Sequence, residues 1–184
     1  MRIIGGQLRG KKLRPVRAAA LRPTSDRLRE AVFNILSGSI EGAVVLDLFA
    51  GTGALGIEAL SRGACKAVFV DRSRNAVDLI SRNVRDCRLE SQSTVIRWDI
   101  TRNLDCLLAA DQTYDLVFLD PPYDHGLVLT TLQHLHRRHL LAPAARMVAE
   151  HSSSERLSPL PEGLTITDTR KYGKSLVSFL VAVV

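Results

Sequence analysis

From residue 43 onward, short apolar runs alternate with amphipathic segments, and few folds can hold such a chain. AVVLDLFA (43–50), KAVFVDR (66–72), STVIRWD (93–99), YDLVFLD (114–120) and ARMVAEHS (145–152) read as strands. Between them, ALGIEALSRG (54–63), RNAVDLISRNVRDCRL (74–89), ITRNLDCLLAA (100–110) and HGLVLTTLQHLHRRHLL (125–141) read as helices. Strands that are apolar on both faces must be covered on both, so the repetition predicts a parallel sheet between two helical layers. The end of the chain differs. LTITDTRKY (164–172) and SLVSFLVAVV (175–184) enclose a turn and predict an antiparallel closing hairpin.

The carboxyl ends of the strands are unusual as a set. Asp47, Asp71, Asp99 and Asp120 each end or nearly end a strand, which puts four acids on one rim of the sheet. Ligands of open α/β sheets bind on that rim. Gly51, Gly53 and Gly56 match G-x-G-x-x-G between a strand and a helix, with Asp71 twenty residues after Gly51. Such spacing is a dinucleotide fingerprint. Asp47 argues against it, because a carboxylate in the strand itself disfavours a pyrophosphate on the turn. S-adenosylmethionine carries an ammonium and a sulfonium that would gain from Asp47. Its ribose hydroxyls suit Asp71, and its adenine amino group suits an acceptor such as Asp99.

At the fourth strand the chain runs LVFLDPPYDHG (116–126). Pro121 and Pro122 lack the N–H that a sheet ladder needs. A strand that ends in an acid, two prolines and a tyrosine makes sense if a ligand needs acceptors there. An amino group attached to an aromatic base is a poor nucleophile, because its lone pair is delocalised into the ring. The Asp120 carboxylate and the rigidly held Pro121 carbonyl can accept its two N–H bonds and aim the lone pair at a methyl group. Tyr123 offers a face for stacking, worth about 1–3 kcal/mol. The base must leave any stack to reach such a pocket. The alternative is a turn that merely stops a strand.

Charge points to a polyanion. Residues 1–40 carry nine Lys/Arg against two acids, and residues 41–184 carry sixteen against seventeen, so the whole net charge of +6 lies in the first fifth of the chain. This divides the chain into a basic arm with its helix (1–40) and a body (41–184). Arg2, Arg9, Lys11, Lys12 and Arg14 are the candidate contacts, and Gly5, Gly6 and Gly10 let backbone approach a ligand closely. IIGGQLRGKKL alternates enough for a short hairpin. A helix follows Pro23, capped within TSD (24–26) and ended by Gly38, with Leu28, Ala31, Val32, Ile35 and Leu36 on its apolar face. Arg29 and Phe33 lie off that stripe, either as an RNA-facing pair or packed beneath the arm.

V-L-D-L-F-A-G-T-G (45–53) resembles the cofactor loop of the Rossmann-like class I methyltransferases. That resemblance implies a seven-stranded, mostly parallel sheet with helices on both faces and the last strand antiparallel. It implies cofactor contacts from Asp47, Phe49, Gly51, Thr52 and Gly53, from Asp71 and Arg72 toward the ribose, and from Asp99 and Ile100 toward the adenine. DPPY (120–123) resembles the [DNS]-PP-[YFW] motif of enzymes that methylate amino groups of bases. The order RIIGGQLRGKKL, LRPTSDRLREAVFNIL, LDLFAGTGALGIEALSRGA, FLDPPY and KYGKS is similar, end to end, to the RsmD-type guanine-N2 methyltransferases of bacterial 16S ribosomal RNA. The resemblance implies that the arm binds rRNA and that Arg22 and Thr24 lie near S-adenosylmethionine. It also implies a substrate in the small subunit or an assembly intermediate. The choice of guanine rests on it alone, since DPPY serves adenine-N6 enzymes too.

Other features are weaker. His134, His136 and His139 read as a basic surface helix, and no metal is indicated. Trp98 suits the core or the adenine wall. Lys171, Tyr172 and Lys174 in the hairpin turn either touch RNA or are solvated. Cys65, Cys87 and Cys106 form no CxxC pair, which fits a reducing cytoplasm, and no apolar run is long enough for a bilayer. A monomer is expected. Three other readings remain: an adenine-N6 enzyme on DNA or RNA, a nicotinamide oxidoreductase, and a non-catalytic RNA-binding factor.

Overall fold

The computed structural model describes residues 1–15, 26–173 and 175–183. Seven strands form one sheet: β1 (Val44–Leu48), β2 (Lys66–Asp71), β3 (Ser93–Arg97), β4 (Tyr114–Leu119), β5 (Leu141–Ser152), β6 (Leu164–Tyr172) and β7 (Ser175–Ala182). Their order is β3-β2-β1-β4-β5-β7-β6, with β7 antiparallel to both neighbours and the other pairs parallel. The expected sheet and closing hairpin are therefore present. β5 starts four residues earlier than its apolar run suggested, and ITRNLDCLLAA forms only a 3-10 turn (Asp105–Ala110).

Alternation along the strands divides the core. Val45, Phe69 and Phe118 face α1 (Asp26–Ile35), α2 (Ala54–Ser61) and α3 (Arg74–Cys87). Leu46, Leu48 and Val117 face α4 (Leu127–Arg137) on the other side. The helices change sides between β1 and β4, which are neighbours in the sheet but not in sequence. A crevice opens at the carboxyl ends of strands at such a switch point.

The first fifteen residues are part of the body. Arg2 and Lys12 form an antiparallel bridge, the Ile3 N–H donates to Lys11 O at 2.9 Å, and Ile3 and Leu13 are buried. The Glu58 carboxylate on α2 accepts the N–H groups of Ile4 (2.7 Å) and Gly5 (2.8 Å). A Cβ on Gly6, whose φ is +75°, would lie 1.8 Å from Ser61 O. Gly5 and Gly6 therefore serve a close approach to α2, whereas Gly10 meets open space.

This docking turns α1 away from its expected face. Leu28, Val32 and Leu36 are buried, but Ala31 and Ile35 are only half-buried, and Arg29 and Phe33 replace them inside. Phe33 lies 5.6 Å from Phe118 by ring centroid, under the Arg62 guanidinium at 4.9 Å. The expected cap within TSD lies mostly outside the described residues.

Candidate active site at the carboxyl edge of the sheet

β1 delivers the chain into a tight loop. Phe49, Gly51 and Gly53 carry φ of 60°, 55° and 74°, and the Gly53 N–H donates to Ala50 O at 2.7 Å. For Phe49 this left-handed conformation costs about 1–3 kcal/mol, and such strain collects at ligand sites. Gly56 has a different reason. A Cβ there would fall 2.3 Å from Cε1 of Phe69, so α2 packs this closely on β2 only without one.

Two strand-end acids organise this loop. Asp71 accepts the Gly51 N–H at 3.0 Å and the Ser73 N–H at 2.8 Å. Asp47 is 2% exposed and accepts the Gly56 N–H at 2.9 Å. Burial pushes its carboxyl up to about 8; the Gly56 N–H opposes this, and the charges of Asp120 and Asp71 add to it. A cation against this cluster relieves both desolvation and repulsion, and an anion would worsen both. The donor set therefore fits the ammonium and sulfonium of S-adenosylmethionine.

The third strand end is more open. Asp99 accepts from the Thr101 hydroxyl at 2.6 Å, which is the main reason its carboxyl is held below the usual range despite some desolvation. Arg72 is exposed beside it. Trp98 lies just past β3, packs against the α4-side core and donates to the Asn103 carbonyl at 3.1 Å. The Ile100 side chain is 2% exposed in that same core, which leaves its backbone as the part that can frame an adenine. Arg22 and Thr24 lie outside the described residues.

Asp120 sits at the end of β4, across the switch point from the β1 loop, with Leu48 paired to Leu119. Pro121 is buried, Pro122 exposed and Tyr123 half-buried. The Tyr123 hydroxyl donates to Glu150 on β5 and lies 2.8 Å from Ser175 Oγ on β7. Burial first, then Glu150, push the phenol up to about 12. With its hydroxyl tied to two strands, the ring is held in one orientation. The acid after it is occupied as well: Ser154 donates to Asp124 at 2.6 Å. An apolar cleft walled by Leu28, Val32, Leu55, Val148 and Val177 contains two carboxylates, Asp120 and Glu150. Sequence reasoning missed Glu150, although the rule that found the other strand-end acids applies to it, and it missed Ser175.

The basic residues fall into three groups. Arg9 and Lys12 are exposed, Lys11 is half-buried, and none of the three has an ion pair among the described residues. Arg2 pairs with Asp26 at 3.3 Å, and Arg14 pairs with Asp86 at 2.7 Å. Arg29 and Phe33 are not RNA contacts, because they are 1% and 0% exposed. The Arg29 Nη2 donates to Arg2 O at 2.6 Å and Asp26 at 2.8 Å, which fastens α1 to the arm. Lys171 is exposed, and Lys174 lies outside the described residues.

Comparison with known proteins agrees with this architecture. A family model described as conserved hypothetical protein 95 matches residues 1–181. Ribosomal RNA small subunit methyltransferase D of Escherichia coli strain K12 is 38% identical over 175 residues, covering 95% of this chain and 86% of its own. The solved Escherichia coli protein yhhF superposes with a TM-score of 0.86 at 33% identity, over 100% of this chain and 98% of that one. SMU.776, solved in complex with SAH, shares the fold at 18% identity and a TM-score of 0.65, over 83% of this chain and 49% of that one. The chain belongs to the conserved hypothetical protein 95 family, that of the RsmD-type methyltransferases, and carries the class I methyltransferase fold.

Proposed function

We propose that this protein methylates the exocyclic N2 amino group of a guanine in bacterial 16S rRNA. Its substrate is the small subunit or an assembly intermediate, and it works as a cytoplasmic monomer. The observation that carries the reading is the position of Asp120-Pro121-Pro122-Tyr123. It ends β4 beside the β1 loop, across the switch point of the sheet, with the Tyr123 ring fixed by Glu150 and Ser175.

S-adenosylmethionine supplies a methyl group on a positively charged sulfur. Asp47 answers its cationic end through a buried carboxylate, Gly51 and Gly53 let the loop backbone come close, and Asp71 and Asp99 hold the ribose and adenine. Phe49, Thr52, Arg72 and the Ile100 backbone complete the wall.

The guanine leaves its stack and lies on the Tyr123 ring. Asp120 and the Pro121 carbonyl accept the two N2–H bonds, and Pro122 restricts the backbone that carries that carbonyl. This draws the nitrogen toward tetrahedral geometry and frees its lone pair. The nitrogen would take the methyl group as its bond to sulfur breaks, the electron pair returning to sulfur to leave a neutral thioether, and the excess proton would pass to the Asp120 carboxylate and on to solvent. Rate comes from positioning and from charge complementarity, with no covalent enzyme intermediate. Arg9, Lys11 and Lys12 hold the RNA backbone, while Arg2 and Arg14 chiefly fasten the arm.

The test is transfer of labelled methyl to unmodified small subunits, protein-free rRNA and duplex DNA, followed by nucleoside analysis. N2-methylguanosine on subunits is the expected result. N6-methyladenine would keep the chemistry and overturn the base. Binding without any transfer would favour the RNA-binding reading.

A further inference from the structure

We propose that Glu150 is a specificity-determining residue, which accepts the N1–H of the target guanine and so makes the site reject bases without that proton. The proposal rests on the amino-methylation reading and names the residue that selects the base. β4 and β5 are parallel neighbours, with Leu119 paired to Ala149. Asp120 and Glu150 are the next residues of the two chains beyond that pair. Both carboxylates line the same apolar cleft, on the face where Val148 and Val177 pack. Glu150 Oε1 takes the Tyr123 hydroxyl, and Oε2 has no hydrogen bond among the described residues.

Counting donors distinguishes the bases. The edge of guanine that carries N2 presents three N–H bonds, two on N2 and one on the adjacent N1. The corresponding edge of adenine presents two, on N6, and its N1 offers a lone pair. Asp120 and the Pro121 carbonyl take the two amino hydrogens of either base. Glu150 is a third acceptor, one strand over. Against guanine it meets a donor; against adenine it faces a lone pair in an apolar cleft, with its own oxygen left unpaired. A site with a buried polar group rejects the analogue that cannot satisfy it by a large factor. The same carboxylate orients the Tyr123 ring, so stacking and hydrogen-bond readout share one residue.

The test compares RNA fragments carrying guanosine, 2-aminopurine riboside or adenosine at the modified position. 2-Aminopurine keeps the amino group on C2 but has a lone pair at N1, and its fluorescence reports binding independently of transfer. Wild-type protein is expected to favour guanosine in kcat/KM by on the order of 10²-fold or more. Glu150→Gln is expected to lower transfer to guanosine and shrink that ratio at least tenfold. Tyr123→Phe keeps the ratio, because the carboxylate remains. Equal use of guanosine and 2-aminopurine riboside by wild-type protein would overturn the proposal. So would an unchanged ratio in Glu150→Gln, which would leave Glu150 only a brace for Tyr123. Wild-type transfer to adenosine in place of guanosine would overturn the proposal by overturning the reading beneath it, and no other outcome has that signature.

Discussion

Asn83 of α3 donates to the carbonyl of Thr52 in the β1 loop at 3.0 Å and is completely buried. The same side chain accepts the Arg14 N–H at 2.8 Å and donates to the Arg14 carbonyl at 3.3 Å. One amide thus joins the cofactor loop to the basic arm, and the Met1 thioether touches Thr52 from the arm's other end at 3.6 Å. Asn83→Ala removes these bonds and leaves backbone groups unpaired. It should destabilise the fold by about 1–3 kcal/mol in urea unfolding. Cofactor affinity and RNA affinity should fall together, as titration calorimetry and filter binding would show. A loss confined to one of them would contradict a joint.

Asp120→Ala should abolish methyl transfer and leave S-adenosylmethionine binding largely intact, because the proposed mechanism sets Asp120 against the base. In that mechanism the carboxylate accepts one N–H of the amino group, and alanine would offer nothing to aim the lone pair. Single-turnover transfer beside calorimetric binding separates the two effects. An active Asp120→Ala protein would sink the mechanism.

Asp47 should make stability fall with rising pH. Its carboxyl is near 8 in the folded chain and about 3.9 unfolded, so the folded state holds the proton more tightly. Its contribution is complete below about pH 4 and is lost as pH rises through about 8. Asp47→Asn cannot titrate, so its unfolding free energy should be flatter than wild type between those limits. A cationic ligand drives the proton off, so wild-type protein should release a proton on binding cofactor near pH 7. Calorimetry in two buffers of different ionisation enthalpy measures this, and Asp47→Asn should release none from this group.

Replacing Arg9, Lys11 and Lys12 with alanine should weaken RNA binding and flatten its salt dependence. Each lost phosphate contact removes about 0.7–0.9 from the slope of log affinity against log salt. Arg14→Ala should barely change the slope, because Asp86 already occupies that guanidinium. A large slope change in Arg14→Ala would mean that the ion pair opens on RNA.

Gly56→Ala should cost stability out of proportion to one methyl group. The new Cβ would meet the Phe69 ring at 2.3 Å, so α2 must lift from β2, and overpacking of this kind costs typically about 1–3 kcal/mol. Thermal unfolding measures it, and weaker cofactor binding should accompany it, because the Gly56 N–H is the partner of Asp47.

The sheet was legible in the sequence because its information is local. Val44–Leu48 and Tyr114–Leu119 are apolar on both faces, and Gly51, Gly53, Pro121 and Pro122 are residue types whose backbone limits hold in any surroundings. The strand-end acids were legible for the same reason, since a carboxylate after an apolar run needs a partner wherever the strand lies. Tertiary structure alone decided which side chains the long-range contacts would take. Arg29 and Phe33 read as a polar-face pair until the arm buried them, and that burial depends on Glu58 and Ser61, more than fifty residues from the glycines they hold. Arg14 read as a free cation until Asp86 met it across 72 positions. Glu150 reaches Tyr123 because β5 lies parallel beside β4, and Ser175 reaches it because β7 pairs antiparallel with β5. Periodicity reports what one element needs, but the partner that meets the need is fixed by where the other elements pack.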